Sequence, residues 1–384
     1  MAARRPNRGG KAPRPRKKKR KMRLSLKQKK IRKTDDYTDS LGWSKTSSGR
    51  VLEDAPKPTE PETLVIQCEM CGCRLKIPKP KKQRYTVSCS YPECGHIMKF
   101  DWGLQMLKSL YWRLNFFLKN RKSKRLKQNL GKDISSIIVN TNNGIFAVDP
   151  ADLEVGEKLR NKGEYGINEI NTISKYIDKK SSVLILGAHI GSLAIPISKK
   201  CEKLVAIEAN PNNYNLLQTN IKLNEISNIT SHNIAASDKQ ETIKFQLNTV
   251  NSGGSKRVPQ NNKYIYTYDN PEVIDVQAYS LDEYLSDEIF DLVLIDIEGS
   301  EYFAMKGMTN ILNSTKTLIV EFLPHHITNV AGVTFDDFIS NIPNHLTTLT
   351  IPSKNETYPI DIGLITLQEM FKSGTGDDGI IFHN

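Results

Sequence analysis

The 384-residue chain has no apolar run approaching the length of a membrane span, which takes roughly 20 predominantly apolar residues in a helix, so it does not read as an integral membrane protein. Cysteine is scarce: there are six, and five of them fall between Cys68 and Cys94. No secretory signal peptide is evident, so a disulfide framework for the whole chain is excluded and a cytoplasmic setting is expected, or a nuclear one if the source is a eukaryote. No internal repeat is visible. Acidic residues are sparse at the beginning, where residues 1–50 carry 19 Lys and Arg against 3 Asp and Glu and residues 51–132 carry 17 against 7. Residues 133–384 reverse the balance with 19 against 32, so any polyanion contact belongs to the first third of the chain.

Residues 1–63 read as a basic tail and linker. The first 33 residues, including Arg14-Pro-Arg16-Lys-Lys-Lys-Arg20-Lys21, have too little apolar content to offset the entropy of ordering and are expected to be disordered. Such a tail can bind nucleic acid through its phosphates, act as a nuclear-localisation signal, dock on an anionic surface, or remain solvated. Residues 64–101 hold Cys68-Glu-Met-Cys71-Gly-Cys73 and Cys89-Ser-Tyr-Pro-Glu-Cys94-Gly-His96. Two knuckles with a glycine after the second cysteine make a small structural zinc ribbon plausible, with Cys68, Cys71, Cys89 and Cys94 as ligands and Cys73 or His96 as substitutes. A disulfide cluster is the alternative, although five clustered thiols cannot all pair. Cys201 reads as a core residue.

Residues 102–130 form a linking helix in this reading. Leu104, Leu107, Leu110, Tyr111, Leu114, Phe117 and Leu118 fall on one helical face, and Lys119 to Lys127 are densely basic. The favoured expectation is that the stripe packs on the ribbon or on the following domain. Peripheral membrane contact through residues 102–127 is the other.

Residues 131–384 alternate apolar strands with helices, the pattern of an α/β fold with a doubly wound, mostly parallel sheet. Val183-Leu-Ile-Leu-Gly187-Ala-His189-Ile-Gly191-Ser192 and Leu204-Val-Ala-Ile-Glu208-Ala-Asn210-Pro211 read as two buried strands framing a glycine turn, the second ending in an acid that can accept ribose hydroxyls. There is no third glycine for a pyrophosphate, so a single-nucleoside cofactor such as S-adenosylmethionine fits better than a dinucleotide. Two more apolar runs end in Asp296, Glu298 and Glu321, which a doubly wound sheet gathers at one rim. Smaller features are a hairpin at 136–148 turning on Asn142-Asn143-Gly144, a helix over 169–176, an irregular insertion over 248–268 that either shapes substrate choice or is a surface loop, a helix over 334–342, and strands near 347–351 and 379–382.

These motifs, with Asn233-Ile-Ala-Ala236-Ser-Asp238, Ser280-Leu-Asp282-Glu and Ile295-Asp296-Ile-Glu298-Gly299-Ser-Glu301, resemble the FkbM-type methyltransferases over roughly residues 135–340. The resemblance implies a Rossmann-like class I fold and S-adenosylmethionine held by Gly187, Ala188, His189, Gly191, Ser192, Glu208, Ala209, Asn210, Ala235, Asp238 and Asp296. Two positions depart from the family pattern: Ile185 stands where an acid is frequent and His189 where asparagine is frequent.

Methyl transfer to a hydroxyl needs alignment, exclusion of water and a proton acceptor. Asp296 and Glu298 are the candidates for that acceptor, with His325 and His326 behind them. A catalytic divalent metal on the rim acids is not expected, although a histidine beside them would suit one. An Asn/Asp-Pro-Pro-Tyr/Phe element, common in amino-methylating nucleic-acid enzymes, is absent, which favours an oxygen acceptor. The leading expectation is O-methylation of a hydroxylated small molecule, glycan or lipid-linked sugar. An RNA- or ribosome-associated methyltransferase recruited by the tail and ribbon is the alternative, and a non-catalytic binding scaffold the third.

Overall fold

The computed structural model describes residues 63–67, 74–82, 84–90, 94, 96–131 and 133–384. The expectations for the basic tail, for most of the linker and for the knuckle with Cys68 and Cys71 lie outside them. All described residues belong to the unit Pro61–Asn384. Strands β1 (Thr63–Gln67) and β2 (Arg74–Pro78) pair antiparallel, as do β3 (Arg84–Ser88) and β4 (Ile97–Asp101). Leu75, Cys89 and Met98 are buried together, and the Cys89 N–H donates to the His96 carbonyl at 2.8 Å. That bond carries the pairing of β3 and β4 one residue further.

Helix α1 (Trp102–Leu130) continues from β4, and the hairpin β5 (Ile137–Thr141) and β6 (Gly144–Val148) follows it. Next come α2 (Val155–Lys162), α3 (Ile167–Ile173), β7 (Ser182–Leu186), α4 (Ala194–Ser198), β8 (Lys203–Ile207), α5 (Pro211–Leu223) and β9 (Ile229–His232). Strands β10 (Ala235–Ala236), β11 (Glu241–Leu247), β12 (Lys256–Arg257) and, after α6 (Tyr264–Thr267), β13 (Glu272–Tyr279) make a small sheet ordered β10-β13-β11-β12. The chain then runs through α7 (Leu281–Tyr284), β14 (Leu292–Ile295), α8 (Glu301–Lys306), α9 (Thr309–Ser314) and β15 (Thr317–Phe322). It ends with α10 (Pro324–His326), α11 (Phe335–Ile339), β16 (Thr348–Ile351), β17 (Glu356–Pro359), α12 (Ile360–Ser373) and β18 (Asp377–His383).

The main sheet is ordered β17-β16-β18-β15-β14-β7-β8-β9. From β15 to β9 neighbouring strands are parallel, and β18, β16 and β17 complete the sheet antiparallel. The central strands are nearly continuous Val, Leu and Ile because helices cover both of their faces. Alternate residues divide between two cores: Leu184, Leu186, Val293, Ile295 and Val320 face one, and Val183, Ile185, Leu204, Leu292 and Ile319 face the other. At the start of α5 the Asn210 side chain accepts from the Asn212 N–H at 2.9 Å, with Pro211 in the first turn, a cap that fixes where β8 ends. The architecture is the doubly wound, Rossmann-like sheet that the sequence predicts.

Three expectations change. The segment 248–268 is built into the protein, contributing β12, α6 and the 3-10 turn Ser252–Gly254. Strand β17 and helix α12, which the sequence reading did not anticipate, cover the antiparallel edge, where Gly363 lies against Leu349. Of the apolar stripe of α1, Leu110, Tyr111, Leu114, Phe117 and Leu118 are exposed rather than packed. Contacts are made instead by its other side, where Ser123 Oγ donates to the Ala151 carbonyl at 2.7 Å, Lys119 meets Glu154 at 2.5 Å and Phe116 stacks on Tyr268 at 4.3 Å. Polar anchors and one ring decide the helix's rotation, and the stripe from Leu110 to Leu118 faces solvent. Among the described residues no helix is long and apolar enough to cross a membrane.

Phe322 is fully buried against Phe335, Phe338 and Phe371. Phe322→Ala is expected to cost about 3–5 kcal/mol, read from the shift in urea midpoint at constant slope.

Candidate functional site

Parallel pairing brings Leu186 level with Ile295, so the turns after β7 and β14 leave the sheet side by side. Gly187 has φ +83°, and a Cβ on it would lie 1.7 Å from the Asp296 carbonyl oxygen. Only glycine meets both conditions. The N–H groups of Gly187 and Ala188 donate to the Ile207 carbonyl at 2.9 and 3.0 Å, drawing the turn across the end of β8. There His189, itself in the left-handed region at φ 52°, donates its N–H to Glu208 Oε2 at 2.7 Å, and the Asn210 N–H donates to Oε1 at 2.8 Å. Both carboxylate oxygens are thereby fixed. Burial pushes the Glu208 carboxyl up to about 7 against the opposing pull of these bonds.

The turn opens a cavity of about 280 Å³. Of the residues singled out in the sequence, Ile185, Gly187, Ala188, His189, Ser192, Glu208, Ala209, Ala235, Asp296, Glu298 and Glu321 line it. Gly191 and Asn210 are outside the lining: Gly191 faces Leu217, and Asn210 caps α5 and donates from Nδ2 to Ser255 Oγ at 3.1 Å. Two candidates stand elsewhere. Asp238 is paired with Lys306 at 3.0 Å, because it lies in the bend past β10, beyond the two residues of that strand that line the cavity. His325 is engaged by the Tyr266 hydroxyl at 3.1 Å, and it is the next residue, His326, that turns toward the acids.

Two lining acids carry no signal in the sequence. Ile185 lines the cavity, and acids reach it from other elements, Glu169 on α3 and Asp378 on β18. Asp296 is surrounded by protein yet opens onto the cavity; burial first, then Glu298, Glu301, Glu169 and Asp378, hold its carboxyl well above the usual carboxylate range. Glu169 and Asp378 could be found only by knowing which strand and helix adjoin β7.

Beside Asp296 the chain makes a second left-handed turn, Glu298 at φ 57° and Gly299 at φ 101°. Glu301 Oε1 accepts the N–H of Ile297 at 3.1 Å and of Gly299 at 3.0 Å, which is the structural use of the Asp-Ile-Glu-Gly-Ser-Glu spacing. This turn lies against Val330 of a π-helical turn, Ile327–Ala331, a geometry frequent at functional sites. Its Glu298 joins an acid–imidazole cluster: Lys256 Nζ is 2.7 Å from Glu298 Oε2 and 3.2 Å from His326 Nε2, while His326 Nδ1 is 3.3 Å from Glu321 Oε2. Burial, then Lys256 and His325, keep His326 neutral far below the usual imidazole range. Burial and the neighbouring acids raise Glu321 well above the usual carboxylate range, while Lys256 pulls the other way.

Ligand atoms of Glu298, Glu321 and His326 lie within 4.8 Å of one another, a donor set that suits a divalent cation. The Lys256 ammonium is bonded to two of the three, so a metal there would have to displace a fixed positive charge.

The insertion that supplies Lys256 also clamps the first turn. Ser252 Oγ is 2.7 Å from His189 Nε2 and donates to Asp152 Oδ2, which accepts the Ser252 N–H at 3.1 Å as well. Asp152 is fixed in turn by the N–H groups of Glu154 and Gly156.

Residues 186–356 match a family model described as methyltransferase FkbM domain. Among curated proteins none matches the chain. Among solved structures, a methyltransferase FkbM from Methylobacillus flagellatus KT is 22% identical, with 44% of this chain and 39% of that one covered and a TM-score of 0.30. Trm5b from Pyrococcus abyssi is 13% identical over 57% of this chain and 49% of its own, TM-score 0.31. M. jannaschii TYW2 in complex with AdoMet is 17% identical over 49% and 62%, TM-score 0.28. The chain thus spans less than two thirds of each of these structures.

The buried groups set a pH dependence. Glu208, Glu301 and Glu321 are raised by burial, so their contribution to stability is present at low pH and is lost as pH climbs through their folded values. His189, His325 and His326 are lowered by burial, so theirs is present above 6.5 and lost as pH falls through it. The two sets oppose each other from about 4.5 to 6.5, and above that interval only the acids act. The ligand-free protein is expected to lose stability between about pH 6.5 and 7, the folded value of Glu208 and Glu301, by about 1.4 kcal/mol per unit for each acid still titrating. A urea midpoint that rises with pH over that interval would contradict the burial of these acids.

Proposed function

We propose that this chain, whose residues 186–356 match the methyltransferase FkbM domain, is an S-adenosylmethionine-dependent methyltransferase, and that it methylates a hydroxyl oxygen of a small molecule, glycan or lipid-linked sugar. The observation that carries this reading is a cavity with a backbone-clamped acid, Glu208, and a carboxylate held by a buried ammonium, Glu298.

S-adenosylmethionine supplies a methyl group already activated on a sulfonium. Glu208, with both oxygens oriented, would accept the ribose hydroxyls. Ile234, Ala235 and Phe245 offer the apolar wall a purine needs. Asp296, Glu169 and Asp378 would hold the cofactor's ammonium, which answers the absence of an acid at Ile185. Glu298 takes the acceptor's proton in this scheme: its carboxylate opens on the cavity, and the Lys256 ammonium keeps it oriented. Lys256 in turn is oriented by His326, whose other nitrogen faces Glu321. Methyl transfer needs no other chemistry from the protein than alignment, water exclusion and this proton.

The tail's charge supports a second reading, an RNA substrate captured by residues 1–50, which carry a net +16. Steep salt dependence of turnover on RNA, lost with the tail, would favour it over a small hydroxylated acceptor. We also assign Cys68, Cys71, Cys89 and Cys94 to a structural zinc. The buried Cys89 and the Cys89–His96 turn support that assignment.

Calorimetric titration of the full chain with S-adenosylmethionine is expected to show binding that Glu208→Ala weakens by about ten- to hundredfold, since a hydrogen bond to a charged group contributes about 1.5–3 kcal/mol. Unchanged affinity in the variant would remove Glu208 from the site. Glu298→Gln is expected to retain cofactor binding while lowering turnover of a hydroxyl acceptor by about 10²–10⁴-fold, measured as S-adenosylhomocysteine formed; equal turnover would exclude it as the base. Metal analysis is expected to find about one zinc per chain, lost in Cys94→Ser; metal-free purified protein would refute the ribbon assignment.

A further inference from the structure

We propose that the solvent face of α1 is a docking surface for an anionic lipid bilayer. Successive helix residues turn by about 100°, which brings Leu110, Tyr111, Leu114, Phe117 and Leu118 onto one side, and each is 53–65% exposed. The same side continues into Arg121, Lys124 and Arg125, all exposed. The opposite side is the one packed on the protein through Phe116, Lys119, Asn120 and Ser123. The exposed face is therefore a single strip, apolar in its first part and cationic in its last.

Its chemistry selects the occupant. Five large apolar side chains in a row are costly in water unless covered, and all but the Tyr111 hydroxyl lack a donor for phosphate, so the first part of the strip does not suit a nucleic acid. A bilayer surface offers both needs at once: acyl chains for Leu and Phe, the interfacial zone for Tyr111, and anionic headgroups for the guanidinium and ammonium groups. A helix of 29 residues is about 44 Å long, enough to lie along the surface with its apolar end dipped below the headgroups. The packed side carries Lys119 to Glu154, a cavity-lining residue, so docking would hold the cavity next to the membrane. Nothing in this inference depends on the identity of the methyl acceptor.

The test is flotation of the full chain with vesicles of phosphatidylcholine alone or mixed equally with phosphatidylglycerol, at roughly 0.15 M salt. Flotation with the mixed vesicles is expected, with little on phosphatidylcholine alone. Leu114→Glu with Phe117→Glu should weaken it by about tenfold or more, and Arg121→Glu with Lys124→Glu and Arg125→Glu should remove the preference for the anionic lipid. The variants carry surface changes only, and an unaltered melting temperature verifies their folding. Four outcomes overturn the proposal. The wild-type chain does not float. The apolar pair floats as well as wild type, leaving the basic tail as the binder. Single-stranded RNA displaces the vesicles and protects α1, making nucleic acid the partner. Sedimentation finds a dimer that the apolar pair dissociates, making a second copy the cover of this face.

Discussion

The contact on which the site depends is between two pieces of backbone. Register between β7 and β14 places Gly187 against the Asp296 carbonyl with no room for a side chain. From that close approach the first turn can cross the end of β8, present the His189 N–H to Glu208 and leave a cavity rather than a packed core beyond the strands. A sheet one residue out of register would separate the two turns and reverse which faces the strand residues occupy. The parallel sheet is therefore more than a scaffold for the acids. It sets the distance at which two turns meet.

Charge is the second constraint. Glu169, Glu208, Asp296, Glu298, Glu321 and Asp378 all line one cavity, and like charges at that density resist ionisation together. The molecule answers in three ways: backbone N–H groups satisfy Glu208, the Glu301 cap holds the turn bearing Glu298, and Lys256 brings a cation into the group. Glu169 and Asp296, left without such a partner, sit high in proton affinity until something positive arrives. A cofactor with a sulfonium and an ammonium is such a species.

Legibility in the sequence followed the range of the interactions. The parallel strands were readable because a strand buried on both faces must be apolar throughout, and Gly187 and Glu208 because a strand end and its turn are local. The Asp296–Glu301 element was readable for the same reason. Lys256, Glu169 and Asp378 were not, since each reaches the cavity from an element whose position only the tertiary fold decides. His326 and not His325 faces Glu298 because α10 turns successive side chains by about 100°, a rotation that sequence alone does not orient. The stripe on α1 was visible as a stripe, but which side of the helix would pack depended on Ser123, Lys119 and Phe116 finding partners some 28 to 152 residues away.

The insertion between β11 and β13 has a geometric consequence. Ser252 is bonded at the glycine turn and Lys256 at the acid–imidazole cluster, with Gly253, Gly254 and Ser255 between them. Four residue steps reach at most about 14 Å. The segment is thus a short tether with both ends fastened, and it gauges the separation of the two halves of the cavity. An added or deleted residue there could not be absorbed by slack; it would release one fastening or pull the two halves to a new spacing, so the width of the cavity is tied to the length of that tether.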